Sequence, residues 1–131
     1  MDPIIHFEIP VRNLESAKKF YGPIFGWKMD EWKMPDGSTL LGAHTTPVDE
    51  KTRLPLKPGA INGMIVEMKG VNKSPSFSIQ VDSIEEKVKQ VEKAGGKQLA
   101  QKVSIPGMGY YAYIADPDGN TVGLWEDAPK K

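Results

Sequence analysis

The chain contains a diverged copy of itself, and this repeat constrains its fold more than any other feature. Residues 6–27 align without a gap with residues 76–97, at an offset of 70. The two segments read HFEIPVRNLESAKKFYGPIFGW and SFSIQVDSIEEKVKQVEKAGGK. Each begins with an alternating strand pattern and continues with an amphipathic helix pattern. The sequence therefore predicts two modules of one architecture, at about residues 4–70 and 74–127, within a single domain of residues 1–131.

Both predicted helices have recognisable start signals. Asn13 and Ser83 are typical N-cap residues, and Glu86 follows Ser83 at the spacing of a capping box. After each helix come three strand patterns, with turn signals such as PDGS and DPDGN between them. Each module is therefore predicted to be a βαβββ unit of an α+β fold. The Pro-rich segment from Thr46 to Gly59 is interpreted as a solvated loop, with a mobile flap as the alternative.

Composition excludes several classes of function. Lys+Arg and Asp+Glu both number 17, so the chain lacks the concentrated basic field that nucleic acids and membrane surfaces attract. The absence of cysteine excludes a disulfide, a thiolate nucleophile and a Cys-based metal centre. The segment MDPIIHFEIP lacks the features of a signal peptide, and no apolar run approaches the ~20 residues of a membrane helix. We therefore expect a cytoplasmic protein with no nucleic-acid or membrane partner.

Two segments carry a resemblance to a known family, namely HFEIPVRNLESAKKFYGPIFGW near the start and GYYAYIADPDGNTVGLWE near the end. Together with the tandem βαβββ pattern, they resemble the vicinal oxygen chelate superfamily, which includes glyoxalase I, extradiol dioxygenases and bleomycin resistance proteins. The resemblance covers essentially the whole chain. It implies strands that curl into a cup-like sheet with the helices outside, and a homodimer. It also implies that metal ligands, where present, project into the cup from the first and last strands of each module.

The residues at the implied metal positions depart from the family pattern. Strand alternation directs His6 into the cup, at the position of the family's first ligand. The matching position in the second module is Ser76, and the glutamate positions fall on Gly63 and Gly123. Glu67, placed on the cup side with Gly63, is the substitute ligand to accompany His6, and Glu8 is a second possible substitute. Because a catalytic metal site needs about three protein ligands, the sequence predicts no cofactor, with a divalent Ni, Zn, Mn or Fe ion as the alternative.

The other cup-facing residues favour the binding of a small molecule. The ligand-binding candidates are the polar and aromatic residues with cup parity, namely Trp32, Ser76, Ser78, Gln80, Tyr111, Tyr113 and Trp125. His6 and Glu8 are the catalytic candidates for proton transfer, although His6 is also interpreted as a cup-lining residue held by a hydrogen bond. His44, at a strand end, is interpreted as a surface residue.

These residues leave three functions open. The first is a binding protein that holds a small organic molecule without chemistry, as the resemblance to bleomycin resistance proteins implies. The second is a lyase, isomerase or dioxygenase that uses a divalent metal on His6. The third is a metal-free enzyme in which His6 and Glu8 move a proton. Ser76 and Gly123, which replace expected ligands, favour the first function.

Overall fold

A computed structural model describes residues 1–68, 70 and 73–129, and within them it contains two helices and eight strands. The first half comprises β1 (Ile4–Val11), α1 (Leu14–Phe25), β2 (Lys28–Lys33), β3 (Thr39–His44) and β4 (Asn62–Glu67). The second half comprises β5 (Ser76–Gln80), α2 (Ile84–Lys93), β6 (Lys97–Ile105), β7 (Gly109–Ala115) and β8 (Thr121–Asp127). The predicted α+β class, with two βαβββ modules, is confirmed.

The chain divides into two compact units. The first unit is His6–Pro75, and the second unit is Met1–Ile5 together with the chain from Ser76 onward. The strand order is β2-β3-β4-β1 in the sheet of the first unit and β5-β8-β7-β6 in the sheet of the second. In each unit the first and last strands of the module pair in parallel, and the other pairs are antiparallel.

Both helices begin where the sequence predicts. Asn13 Oδ1 accepts a hydrogen bond from the Ser16 N–H at 2.9 Å, and Ser83 Oγ accepts one from the Glu86 N–H at 3.2 Å. Helix α1 ends at Phe25 and is capped by Gly26, whose φ of 73° is a left-handed conformation that glycine adopts at little cost. Among the described residues, neither helix has the length and apolarity needed to cross a membrane.

Helix α2 has a further cap that comes from β8. Glu126 Oε1 accepts a hydrogen bond from the Ile84 N–H at 2.8 Å. An acceptor at this position satisfies one of the N–H groups that a helix leaves unpaired in its first turn. Its negative charge also complements the positive end of the helix dipole. This contact ties the helix to the last strand of the second unit.

Each helix covers one face of the sheet in its own unit. In the first unit the buried residues beneath α1 are Ala17, Leu41, Ala43 and Ile65, with Phe7, Ile9 and Val11 of β1 packed against them. In the second unit the buried residues beneath α2 are Val81, Ile84, Val88, Ala112, Ile114 and Leu124. The predicted core sides of β1, β5, β7 and β8 are therefore correct.

Strand β4 differs from the sequence-based prediction. Ile65 belongs to the core beneath α1, and Gly63 and Glu67 lie on the same side of the strand as Ile65. Met64, which pairs with Glu8 of β1, occupies the opposite side. The predicted cup-side orientation of Gly63 and Glu67 is therefore wrong. The reason is that consecutive apolar residues fill β4, and such a strand has no alternation that indicates which side faces the core.

Candidate functional site

The predicted site residues occur in both units, and most lie on the sheet faces opposite the helices. The first-unit face carries Lys28, Asp30, Trp32, Gly42, His44, Asn62 and Met64 as well as the catalytic candidates His6 and Glu8. The second-unit face carries Ser78, Gln80, Tyr111, Tyr113, Gly123 and Trp125.

Cross-strand pairing brings the ligand-binding candidates of the second-unit face together. Gln80 of β5 lies opposite Trp125 of β8, and Trp125 lies opposite Tyr111 of β7. Tyr113 follows on β7, with its ring centroid 5.7 Å from that of Tyr111 and an interplanar angle of 72°. This is the edge-to-face geometry that aromatic pairs prefer. An amide, an indole and a phenol thus form one row across three strands.

Asp127 holds two members of this row. Its Oδ1 accepts a hydrogen bond from Trp125 Nε1–H at 2.7 Å, and its Oδ2 accepts one from Gln80 Nε2–H at 2.7 Å. The indole of Trp125, a residue that is 8% exposed, and the Gln80 amide are therefore fixed by one carboxylate. Sequence reasoning missed Asp127. Its position two residues after Trp125, on the same side of the strand, is the signal that predicts such a contact.

The space beside Gly123 is filled by a neighbouring side chain. A Cβ on Gly123 would lie 2.5 Å from Ser78 Oγ and 3.3 Å from Ser78 Cβ. Ser78 is 4% exposed. Ser76, the other expected ligand position of this module, has a buried Oγ with no hydrogen-bond partner among the residues that the structure describes. Neither serine is a typical ligand of a divalent metal.

His6 and Glu8 share one side of β1, two residues apart. Glu8 is 2% exposed, and burial lowers the pKa of His6 to about 4. The cause is the poor solvation of a buried imidazolium. His6 is therefore neutral at pH 7, which is the form that accepts a proton in general base catalysis. The structure thus places the two catalytic candidates on the side predicted.

A groove of about 370 Å³ lies at one edge of the first-unit face. It is lined by Gly26, Lys28, Asp30, His44 and residues 45–48. His44 Nε2 lies 2.7 Å from Asp30 Oδ2, so this partly exposed histidine has a carboxylate partner that sequence reasoning missed. Asn62 Oδ1 fixes the start of the loop by accepting hydrogen bonds from the Thr45 and Thr46 N–H groups, at 2.7 and 3.0 Å.

Trp32 lies on the same face, and its indole covers Gly42. A Cβ on Gly42 would lie 2.5–2.9 Å from three atoms of the ring. A glycine inside a strand often marks such a close approach. Trp32 is partly exposed, and it faces away from α1, as predicted.

The repeat identifies which residue of β4 matches Gly123. Ser78 of β5 pairs with Gly123 of the parallel strand β8. Glu8 of β1 is the counterpart of Ser78 in the repeat, and it pairs with Met64 of the parallel strand β4. The first-module position that corresponds to Gly123 is therefore Met64 and not Gly63. The sequence-based choice of Gly63 is wrong for the same reason as the predicted face of β4.

The residues at the family's metal positions do not fit a divalent metal. They are His6 and Met64 in the first module, and Ser76 and Gly123 in the second. Of these four, only the imidazole of His6 is a strong donor for such an ion. Glu67 is exposed and on the α1 side of its strand, so it does not join His6. Within residues 1–68, 70 and 73–129, no three His, Asp or Glu side chains form a metal-binding group. This donor set does not support a metal-dependent step at these positions.

The chain belongs to the Glyoxalase/Bleomycin resistance protein/Dioxygenase superfamily, whose family model matches residues 4–124. The "Glyoxylase-like domain-containing protein" of Didymella fabae is 32% identical over 119 residues, which cover 87% of this chain and 85% of that protein. "Putative glyoxylase CFP32" of Mycobacterium bovis is 30% identical over 122 residues, which cover 91% of this chain and 43% of that protein. The chain therefore spans less than half the length of this relative.

Solved structures share the fold at low sequence identity. A hypothetical protein from Bacillus halodurans C-125 aligns with a TM-score of 0.67 and 15% identity, over 99% of this chain and 97% of that one. Methylmalonyl-CoA epimerase from Mycobacterium tuberculosis aligns with a TM-score of 0.59 and 17% identity, over 96% and 88%. Identities this low show a common fold. The predicted family and fold class are confirmed.

Proposed function

We propose that this protein binds a small organic molecule on the second-unit face, without a metal-dependent step. The observation that carries this proposal is the row of Gln80, Trp125 and Tyr111, fixed by Asp127. Aromatic side chains with a few placed polar groups are the usual composition of a small-molecule site. Their flat rings favour a partly planar ligand. The mostly neutral side chains of the face favour a ligand with little or no charge.

The proposal also covers the oligomeric state, location, cofactors and partners that the sequence predicts. We propose a homodimer that acts in the cytoplasm, with no resident cofactor and no nucleic-acid or membrane partner. The resemblance to bleomycin resistance proteins supports the pairing and the binding role. The donor set at His6, Met64, Ser76 and Gly123 supports a metal-free protein.

Binding is tested with a panel of planar aromatic compounds and bleomycin, by isothermal titration calorimetry on untagged protein. Tyr111→Leu removes a ring from the second-unit face, and Tyr110→Leu is the matched control because Tyr110 packs on the α2 side of the same strand. We expect at least a tenfold loss of affinity in the first variant and little change in the second. Equal losses in both variants, or no binding by the unaltered protein, would contradict the proposal.

Metal content is measured on the same samples by mass spectrometry, after exposure to nickel, zinc, manganese and iron(II). The His6→Ala variant is treated in the same way. A near-stoichiometric metal that is lost in this variant would overturn the metal-free part of the proposal. It would favour the alternative of a metal-dependent lyase, isomerase or dioxygenase.

A second candidate function is proton transfer by His6 and Glu8. The observation that favours it is the position of the buried Glu8 and the half-buried His6 on one side of β1, two residues apart. A neutral imidazole in this setting can act as a general base toward a C–H group beside a carbonyl. Glu8, as the neighbouring titratable group, is the candidate for the acid.

Solvent deuterium uptake tests this second function. Methylmalonyl-CoA is a suitable probe because one structural neighbour is an epimerase named for it. Uptake that is lost in His6→Gln and in Glu8→Gln, while both variants keep the circular dichroism of the unaltered protein, supports proton transfer. Uptake that survives in His6→Gln argues against this residue as the base.

A further inference from the structure

We infer that Asp127 is a positioning residue that makes the second-unit face selective for planar ligands with a hydrogen-bond donor at their edge. This inference rests on the proposed function, because it concerns the same face. It starts from the two 2.7 Å hydrogen bonds that Asp127 accepts, one from Trp125 and one from Gln80.

The carboxylate determines the orientation of the Gln80 amide. An ionised carboxylate accepts hydrogen bonds and donates none, whereas an amide has one donating and one accepting end. The NH₂ group of Gln80 must therefore face Asp127. The two ends of the amide have similar shapes, so it is the hydrogen-bonding chemistry that determines this orientation. The carbonyl Oε1 remains available as an acceptor, since no residue in the described part of the chain donates a hydrogen bond to it.

The same carboxylate removes a donor from the face. The indole N–H of Trp125 is its one hydrogen-bonding group, and Asp127 already accepts from it. The Trp125 N–H and one of the two N–H donors of the Gln80 amide are thus directed to Asp127, which leaves fewer donors for a ligand's acceptor atoms. The phenol groups of Tyr111 and Tyr113 can both donate and accept hydrogen bonds, so they favour neither donors nor acceptors on a ligand.

The ligand class follows from the hydrogen-bond donors and acceptors that the face presents. A flat molecule with an N–H or O–H at its edge can lie against the rings and donate to Gln80 Oε1. A molecule of the same shape with acceptors alone would shield that oxygen from water without pairing it, which costs binding free energy. Sites built to pair a ligand O–H or N–H discriminate strongly against analogues that lack it. Phenols, hydroxylated heterocycles and cyclic amides belong to the favoured class.

Asp127→Asn is the informative substitution, because it should reverse this preference. The asparagine oxygen can still accept from Trp125, but its NH₂ group would then face Gln80. The Gln80 amide would turn so that its oxygen accepts from residue 127 and its NH₂ group is presented to the ligand. A face that selects donors would become one that selects acceptors.

The test uses two probes with the same ring system, 2-naphthol, whose O–H can donate, and 2-methoxynaphthalene, which can only accept, with affinities from isothermal titration calorimetry. We expect the unaltered protein to bind 2-naphthol at least tenfold more tightly. Asp127→Asn should remove or invert this ratio, whereas Asp118→Asn, an exposed control in the turn before β8, should retain it. An unchanged ratio in Asp127→Asn would overturn the inference.

Gln80→Leu provides a second route if Asp127→Asn does not fold. It removes the acceptor and leaves the Trp125–Asp127 hydrogen bond in place, so 2-naphthol should lose its advantage. A retained advantage would overturn the inference. Failure of the proposed function gives a different result, because the unaltered protein would then bind neither probe. Binding of both probes with equal affinity would overturn the selectivity and leave the binding role intact.

Discussion

The hydroxyl of Ser78 occupies the space that a side chain at Gly123 would need. The two residues are cross-strand partners on β5 and β8, and a Cβ on Gly123 would lie 2.5 Å from Ser78 Oγ. The family's glutamate position in this module is therefore closed by a neighbouring side chain. Replacing Gly123 by glutamate would place the new Cβ against this hydroxyl, so Ser78 would have to rotate or be replaced before the position could regain a ligand.

This packing predicts an energetic coupling between the two positions. Gly123→Ala should lower the free energy of unfolding by ~1–3 kcal/mol, because the added Cβ overpacks the site. Ser78→Gly in the same chain should remove most of that loss, with a coupling of ~0.5–3 kcal/mol. A double-mutant cycle in urea measures it. Strictly additive effects would show that Ser78 rotates away at no cost.

Burial of His6 predicts a pH-dependent stability. Its pKa is about 4 in the folded protein and 6.5 when unperturbed, so the unfolded chain binds more protons between these values. Stability therefore rises with pH through this window and is lost as pH falls from 6.5 toward 4. The loss assigned to His6 is of the order of 3 kcal/mol at pH 4. Urea unfolding of the protein and of His6→Gln, at several pH values from 4 to 7.5, measures the difference.

His44→Gln is the control for this titration, because His6 and His44 are the two histidines of the chain. It should retain the slope that His6→Gln loses. The carboxylates of Asp49 and Asp116 have a pKa lowered by hydrogen bonds, first of all from the Thr52 N–H and the Asn120 side chain respectively, so their effect is confined to the acid end of this window and below it. An equal slope in His6→Gln and the unaltered protein would exclude a lowered pKa for His6.

The contact between Trp32 and Gly42 predicts a strong effect of a single methyl group. Gly42→Ala should cost ~1–3 kcal/mol, because the Cβ would meet three atoms of a rigid ring. Gly22→Ala is the matched control in α1. Its Cβ would have an ordinary 3.6 Å contact with the Trp27 carbonyl oxygen, and alanine favours a helix by ~1 kcal/mol. Thermal unfolding of both variants tests whether the two substitutions have opposite signs.

The cap from Glu126 predicts that β8 contributes to the stability of α2. Glu126→Ala should lower the free energy of unfolding by ~1–2 kcal/mol, because the Ile84 N–H loses its acceptor at the helix start. Glu92→Ala, an exposed position on the same helix, is the control and should change stability by less than ~0.5 kcal/mol. Similar losses in both variants would mean that the cap contributes nothing specific.

These contacts also explain what the sequence can and cannot predict. The helix starts at Asn13 and Ser83 depend on neighbours three residues away, so a short window contains the whole signal. The face of β8 is likewise evident from the apolar Val122 and Leu124. The side of β4 on which Ile65 lies is not evident from the sequence, because its neighbours in the strand are also apolar. The partner strands determine which side is buried.

Asp127 and Glu126 were missed for a different reason. Asp127 bonds to a side chain 47 positions away, and Glu126 to a backbone group 42 positions away. The contacts with Gln80 and Ile84 form only when β5 and β8 pair in parallel, so no local pattern predicts them, whereas the spacing of Trp125 and Asp127 predicts only the contact between those two. The role of Ser78 beside Gly123 depends on the same pairing.

The boundary between the two units falls inside β1, so the first five residues belong with the second half of the chain. The Gln80 N–H donates to the Pro3 carbonyl oxygen at 2.9 Å, and Lys87 Nζ lies 3.0 Å from Asp2 Oδ2. A fragment beginning near residue 74 would lack both partners and expose the edge of β5, where unpaired strands of separate molecules associate. The repeat that is evident in the sequence therefore does not mark a place where the gene can be cut to yield two autonomous halves.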